Sequence, residues 1–127
     1  MDKKILLAAC TLGFLAIIFG AFGAHALKKT LTVEQLNSFE TGVKYQMYHA
    51  LFLLFIGATQ IITLKEKTIV FYFTLTGVLF FSGSIYVLTT NGLTGIKSKL
   101  IGPITPIGGL LLILSWGYLF YAILTKK

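Results

Sequence analysis

The sequence predicts an all-α integral membrane protein, a four-span antiparallel helical bundle with an amphipathic interfacial helix between spans 1 and 2. Of its 127 residues, 56% are hydrophobic and only 12% are charged, and the mean hydropathy is +0.86. A soluble domain is about 45–50% apolar and about a quarter charged. The excess apolar residues form long blocks without alternation of period two, which favours helices over a membrane barrel.

Four apolar blocks are predicted to be spans, and they cover residues 5–27, 45–64, 68–90 and 100–124 of a single transmembrane domain, 1–127. Each block is long enough to cross a hydrocarbon core of about 30 Å. The short connections at 65–67 and 91–99 make neighbouring spans antiparallel. The first block has a basic start and an Ala24-His25-Ala26 sequence, as signal peptides do, but its apolar stretch exceeds the usual length of about 7–15 residues. We therefore expect it to be retained as a span.

Residues 33–44, between the first two spans, are predicted to form the interfacial helix. Thr32 and Gln35 fit a capping box, in which each side chain bonds the backbone N–H of the other residue. Apolar residues then recur at roughly helical spacing, and the intervening residues are polar. This helix is expected to lie at the membrane surface, or to run on into the second span with a bend near Gly42.

A stripe of small residues along the first span predicts close packing, because helices in lipid associate through close backbone contact. The span is therefore expected to be central in the bundle or in an oligomer. Small residues also recur on the third and fourth spans. The positions predicted to serve helix packing are Gly13, Gly20, Ala24, Gly77 and Gly109.

The net charge of +7 comes from eleven lysines, which cluster between the apolar blocks. This pattern is typical of interfacial anchors for anionic headgroups, so membrane lipids and not nucleic acid are the expected partners. More lysines lie on the side of the termini than on the other side, which favours a multi-pass protein with both termini cytoplasmic. The predicted anchors are Lys3, Lys4, Lys28, Lys29, Lys65, Lys67, Lys97, Lys99, Lys126 and Lys127.

His25 and His49 are the two histidines of the chain, and each lies at the edge of an apolar block. In a four-span bundle both are expected in the same half, near one membrane face. Gln60 is expected to share the face of His49 on the second span, at 100° per residue. The candidate ligand-binding residues are His25, His49, Tyr45, Gln46, Gln60, Ser84 and Thr105.

Four interpretations of the histidines remain open. In the favoured one, each donates a hydrogen bond to a carbonyl or to Glu40 and locks helix ends together. Imidazoles also titrate near neutral pH and could sense protons. Two histidines could ligate a metal or haem, but zinc normally has three or four protein ligands, and no Cys or Asp lies nearby to complete a set. Nucleophilic catalysis would need Ser82 or Ser84 beside His49. No catalytic residue, metal or cofactor is therefore expected.

Four segments, taken in order, resemble a known family. They are GAFGAHAL at 20–27, FETGVKYQMYHAL at 39–51, FSGSIY at 81–86 and IGPITPIGG at 101–109. Together they resemble the bacterial membrane family known as domain of unknown function 423, which is related to the eukaryotic transmembrane protein 256 group. The resemblance implies a small integral membrane protein with about four spans, and it implies no reaction and no catalytic residues.

The expected function is that of a small, non-enzymatic membrane protein, a structural or membrane-stabilising component that forms a homo-oligomer. The alternatives are an oligomeric transporter or channel for a small solute or ion, and a protein that binds a lipid or cofactor. Both alternatives would use the region of His25 and His49.

Overall fold

The computed structural model describes residues 1–95 and 98–126, so the predicted anchors Lys97 and Lys127 lie outside the described residues. Every regular element in the described part of the chain is a helix. The elements are α1 (Asp2–His25), a 3-10 turn (Leu27–Lys29), α2 (Val33–Ala58), α3 (Leu64–Thr89), α4 (Asn91–Thr94), α5 (Ser98–Ile101) and α6 (Ile104–Leu124).

Three helices are long and apolar enough to cross a membrane: α1 continued to Lys29, α3 and α6. The segment predicted as an interfacial helix, 33–44, forms the first part of α2 and is continuous with the predicted second span. That span was predicted to reach residue 64, but α2 ends at Ala58, where Thr59 adopts extended backbone with ψ 151°. The fourth long helix begins at Ile104 and not at residue 100, after a break before Pro103.

Capping boxes fix the starts of α2 and α3. The predicted box at Thr32 is confirmed, because the Gln35 amide donates to Thr32 Oγ1 at 3.1 Å and the Thr32 amide donates to Gln35 Oε1 at 3.0 Å. Thr63 and Glu66 form a second box with distances of 3.2 and 2.8 Å. Each box satisfies two backbone N–H groups that a helix start leaves without partners.

Long helices that are neighbours in the chain pack together: α1 on α2, α2 on α3, and α3 on α6. Only the short helices α4 and α5 lie between α3 and α6 among the described elements. On α1, Gly13 lies against Ala50 of α2, while Gly23 lies against Phe39. Residue numbers therefore rise along α1 as they fall along α2, which makes the pair antiparallel. The α3 and α6 pair is also antiparallel, because Gly77 meets Leu112 whereas Phe81, later on α3, meets Gly108, earlier on α6.

The first span, expected to be central in the bundle or in an oligomer, is not central within a single copy of the chain. The small residues Ala9 and Ala16 are buried, and a Cβ added at Gly20 would lie 3.5 Å from Val43 of α2. Ala24, also predicted to pack, is exposed. The opposite face of α1 carries exposed apolar side chains, so α1 packs by one face on the edge of the bundle. The exposed apolar side chains of α1 include Leu7, Phe14, Ile17, Ile18 and Phe22.

The closest approach between α3 and α6 depends on Gly108. A Cβ built on Gly108 would lie 2.3 Å from the backbone nitrogen of Phe81. A Cβ on Gly77 would lie 2.7 Å from Leu112 Cδ2 and 3.2 Å from the Gly108 carbonyl oxygen. At Gly109, a predicted packing position, the nearest atom is Phe81 Cδ1 at 3.6 Å. Glycine at 108 therefore lets the two backbones touch, as small residues do between helices in lipid.

We predict that Gly108→Ala destabilises the protein by about 1–3 kcal/mol, because the new methyl group meets backbone that cannot move aside cheaply. The measurement is the free energy of unfolding in detergent micelles, followed by far-UV circular dichroism. Gly83→Ala on α3 is the matched control, since a Cβ there meets no atom within 4 Å in the described structure. Equal stabilities of the two variants would contradict the packing argument.

Candidate functional site

His49 of α2 lies inside the bundle and is only 4% exposed. Its Nδ1 is 2.7 Å from the carbonyl oxygen of Tyr45, one turn earlier, and its Nε2 is 3.0 Å from Nε1 of Trp116 on α6. A carbonyl can only accept a hydrogen bond, and an indole N–H can only donate one. The neutral tautomer with its hydrogen on Nδ1 therefore fits both bonds. Any role of His49 as a base or ligand would require breaking one of them.

Trp116 is held in place by a second aromatic contact. The centroid of its indole ring is 4.2 Å from the ring of Phe52 on α2, and the imidazole of His49 stands edge-on at 6.1 Å. The hydrogen bond to His49 thus joins α2 to α6, two helices that are not successive among the four long ones. The contact links two helices, as the predicted locking role requires. It differs from the prediction in lying within the bundle and not at the helix ends, and in having an indole as the partner across the helices.

Gln46, one turn before His49, joins three helices. The residue is 3% exposed. Its Nε2 donates to the carbonyl oxygen of Leu12 on α1 at 2.8 Å, and its Oε1 accepts from the hydroxyl of Tyr86 on α3 at 2.6 Å. Both ends of the amide are therefore used in contacts between helices.

The candidate residues Ser84 and Thr105 meet between α3 and α6, with their hydroxyl oxygens 2.5 Å apart. Ser84 Oγ also lies 2.9 Å from the Phe81 carbonyl oxygen, and when it donates there Thr105 is the donor between the two hydroxyls. Thr74 and Ser115 form an equivalent pair, also at 2.5 Å. These hydroxyls cross-link the two helices at two levels.

The structure does not bring His25 to His49. His25 is exposed at the end of α1, whereas the part of α1 next to His49 is near Gly13, which faces Ala50. From Gly13 to His25 the helix rises about 18 Å, at 1.5 Å per residue. The expectation that both histidines lie in one half of the bundle is therefore not met, because His49 lies near mid-height, beside the middle of α1.

Gln60 does not share the face of His49 either, since it follows the last residue of α2, Ala58. It is exposed at the opposite end of the bundle from His25, beside Asp2 and Lys67. A shared face would require a helix that continues to residue 64, whereas α2 ends at Ala58.

Trp116 was missed as a site residue, although the sequence carried a signal. It is the only tryptophan of the chain and lies well inside the fourth apolar block. Membrane tryptophans are enriched at the two interfaces, so one in mid-span is a candidate for an internal hydrogen bond. The hydroxyls of Thr74 and Ser115, placed in apolar runs, are signals of the same kind.

A cleft of about 510 Å³ opens beside the hydrogen bond between His49 and Trp116. Its walls come from α2, α3 and α6. The lining residues are Tyr45, His49, Phe81, Gly109, Leu112, Ile113 and Trp116. Of the candidate residues, Tyr45 is partly exposed on this cleft and contributes the carbonyl that orients His49.

In the described residues, each buried side-chain nitrogen or oxygen atom has a hydrogen-bond partner. Within the same residues, no three His, Cys, Asp or Glu side chains come together as a metal site. The polar groups of the interior are thus bonded to one another across the helices or, as Thr89 is, to carbonyl oxygens of their own helix.

Comparison with known proteins identifies the family. The family model described as "Protein of unknown function (DUF423)" matches residues 19–109, which include the region of His25, Gln46, His49 and Ser84. The chain belongs to this family.

Curated members of the family resemble the chain over nearly their full length. A UPF0382 membrane protein of Staphylococcus saprophyticus is 40% identical over 91% of this chain and 92% of its own. A UPF0382 membrane protein of Bacillus subtilis is 36% identical over 91% of each chain. A UPF0382 inner membrane protein of Escherichia coli is 31% identical over 99% of this chain and 93% of its own. No solved structure matches.

The DUF423 assignment and the apolar helices together make the chain a small membrane protein with transmembrane helices. The matched region ends before Trp116. The matched region therefore covers His49 and its helix but not the indole that His49 binds.

We predict that Trp116→Phe and His49→Phe are coupled. Either change removes one partner of the same partly buried hydrogen bond, which costs about 1–3 kcal/mol when the other partner is left unsatisfied in lipid. Once His49 is gone, Trp116→Phe should lose only its packing contribution. The measurement is a double-mutant cycle of unfolding free energies in micelles, with an expected coupling of about 0.5–2 kcal/mol. Strictly additive costs would show that the bond contributes nothing.

Proposed function

We propose that this protein is a non-enzymatic, four-span protein of the bacterial cell membrane that acts as a structural or membrane-stabilising component and self-associates. The observation that carries the proposal is the use of the buried polar side chains. Gln46 bonds α1 and α3, while His49 bonds the Tyr45 carbonyl of its own helix and Trp116 of α6. Polar groups used in this way stabilise a helical assembly in lipid and are not poised for chemistry.

The proposal of four spans rests on the directions of the helices. Asp2 at the start of α1 contacts Lys67 at the start of α3, and Phe19 near the end of α1 packs on Tyr86 near the end of α3. The two helices therefore run parallel. If both cross the membrane, the chain must return between them, and α2 is the segment that links them. At 26 residues, α2 is about 39 Å long, which exceeds the hydrocarbon core of about 30 Å.

The termini are proposed to be cytoplasmic, since an even number of spans puts both on one side and lysines favour that side. Lys3, Lys4 and Lys65 are exposed at this end. Lys28, Lys29 and Lys99 are exposed elsewhere and remain available as anchors for lipid headgroups. Lys67 does not serve as a simple anchor, because it is buried beside Asp2.

Topology can be tested by cysteine labelling in intact cells. In a Cys10→Ser background, Thr30→Cys marks the connection before α2 and Gln60→Cys the connection after it, and both positions are exposed. We expect a membrane-impermeant maleimide to label Thr30→Cys in intact cells and Gln60→Cys only after permeabilisation. Labelling of both from one side would mean that α2 does not cross. Labelling with the sides exchanged would overturn the proposed orientation.

Self-association is supported by Gly117 on the exposed face of α6. A Cβ there would meet no atom within 4 Å among the described residues. Glycine inside a helix costs about 1 kcal/mol relative to alanine, so it needs a reason. In membranes the usual reason is a second helix packed closely against it. Exposed apolar side chains surround Gly117, including Ile113 and Tyr121, and we place a second copy of the chain there.

We predict that Gly117→Leu reduces the multimer fraction several-fold, because the larger side chain holds the second helix away. The measurement is native mass spectrometry or crosslinking of the protein in lipid nanodiscs. Ala21→Leu on the exposed face of α1 is the matched control and should leave the multimer unchanged. A strictly monomeric wild-type protein would rule out the proposed self-association.

A further inference from the structure

A small polar cavity lies at the end of the bundle that carries both termini. It has a volume of about 190 Å³ and opens between the start of α1, the connection from α2 to α3 and the first turn of α3. Its polar lining residues are Asp2, Thr59, Gln60 and Lys67, and its apolar lining residues are Ile62 and Leu64.

Lys67 is the unusual member of this cavity, because only 5% of the residue is exposed. A lysine near a helix end in a membrane protein normally extends its ammonium group into water or headgroups. Lys67 instead turns inward to Asp2, whose Oδ1 lies 3.1 Å from Nζ. A buried ammonium is costly unless paired and hydrogen-bonded, so the structure must supply acceptors for it.

Asp2 does not saturate Lys67. An ammonium has three N–H donors and no acceptor, and the Asp2 carboxylate is the one acceptor that Nζ has within residues 1–95 and 98–126. The cavity that Lys67 lines is where further acceptors can reach it. Two more donors border the same space: the exposed amide of Gln60, and the hydroxyl of Thr59, whose oxygen accepts from the Ile61 amide at 3.3 Å.

The charges around the cavity favour an anion. Glu66, the other acid at this end, is bonded to Lys126 at 2.5 Å, so both acids of the region are paired with lysines. Lys3, Lys4 and Lys65 are exposed around them. The excess of positive charge raises the local concentration of anions, and the nearest abundant anions in a membrane are phospholipid headgroups.

We propose that this cavity binds the phosphodiester of one anionic phospholipid, with Lys67 donating to the phosphate oxygens and the exposed side chain of Leu64 facing the start of the acyl chains. Asp2 holds the ammonium in place and competes with the phosphate for it. The proposal rests on the proposed membrane-spanning arrangement, which puts this end of α1 and α3 at the headgroup level.

The test is native mass spectrometry of the full-length protein in detergent, titrated with phosphatidylglycerol or with zwitterionic phosphatidylcholine. We expect one phosphatidylglycerol to bind with an affinity at least tenfold higher than phosphatidylcholine. Lys67→Gln should lose that preference. Asp2→Asn should strengthen phosphatidylglycerol binding several-fold, because it removes the competing carboxylate. Lys28→Gln, an exposed lysine at the other end, should change nothing.

If the pair of Asp2 and Lys67 has only a structural role, Asp2→Asn should leave phosphatidylglycerol binding unchanged or weaken it. Unchanged or weaker lipid binding in that variant would overturn the proposal even if Lys67→Gln fails to fold. Inorganic phosphate is added alone in a further titration. If its binding requires Lys67 while binding of phosphatidylglycerol does not, the cavity takes a free anion and the lipid proposal is overturned. The oligomeric state in the same spectra tests the proposed self-association separately.

Discussion

Hydrogen bonds from α2 to each of the other long helices constrain the whole bundle. Gln46 reaches the Leu12 carbonyl on α1 and the Tyr86 hydroxyl on α3, and His49 accepts from Trp116 on α6. Lipid offers no water to replace such partners, so each polar side chain must find one within the protein. α2 is also the long helix that hydropathy alone does not mark as a span. The residues that lower its hydropathy are partly those that bind its neighbours.

The α3 and α6 pair is held by a different combination, in which glycines bring the backbones together and hydroxyl pairs fix their register. Gly108 and Gly77 permit the close approach. The pairs Ser84–Thr105 and Thr74–Ser115 then lie on either side of this contact along the two helices. A shift of one helix along the other would break both pairs at once. Because hydrogen bonds between membrane helices are worth only about 0.6 kcal/mol on average, their main effect here is to select the register.

The sequence predicts where helices form but not which residues of neighbouring helices lie at the same level. Apolar blocks and the Thr32 capping box follow from local chemistry, and the structure has helices in those places. The pairing of His25 with His49 required knowing which residue of α1 faces which residue of α2, and that register is set by side-chain packing that no local pattern records. Gln60 was misplaced for a related reason, since the extended backbone of Thr59 ends α2 with no glycine or proline immediately after Ala58. Of the candidate set, Gln46 and His49 do lie together one turn apart.

The lysines show how far a charge pattern can be interpreted. Spacing alone presented Lys67 and Lys126 as anchors equivalent to the others, yet Lys67 is bonded to Asp2 and Lys126 to Glu66. These ion pairs do not change the expected orientation, because topology follows the distribution of lysine and arginine and depends little on acidic residues. The expected contacts of the lysines with headgroups do change, because Lys67 and Lys126 are paired with acidic side chains. Exposed lysines such as Lys28 attract anionic lipids only diffusely, whereas a buried ammonium with unfilled donors can distinguish one headgroup from another. Selective lipid binding is therefore expected at the end of the bundle where the ammonium is buried.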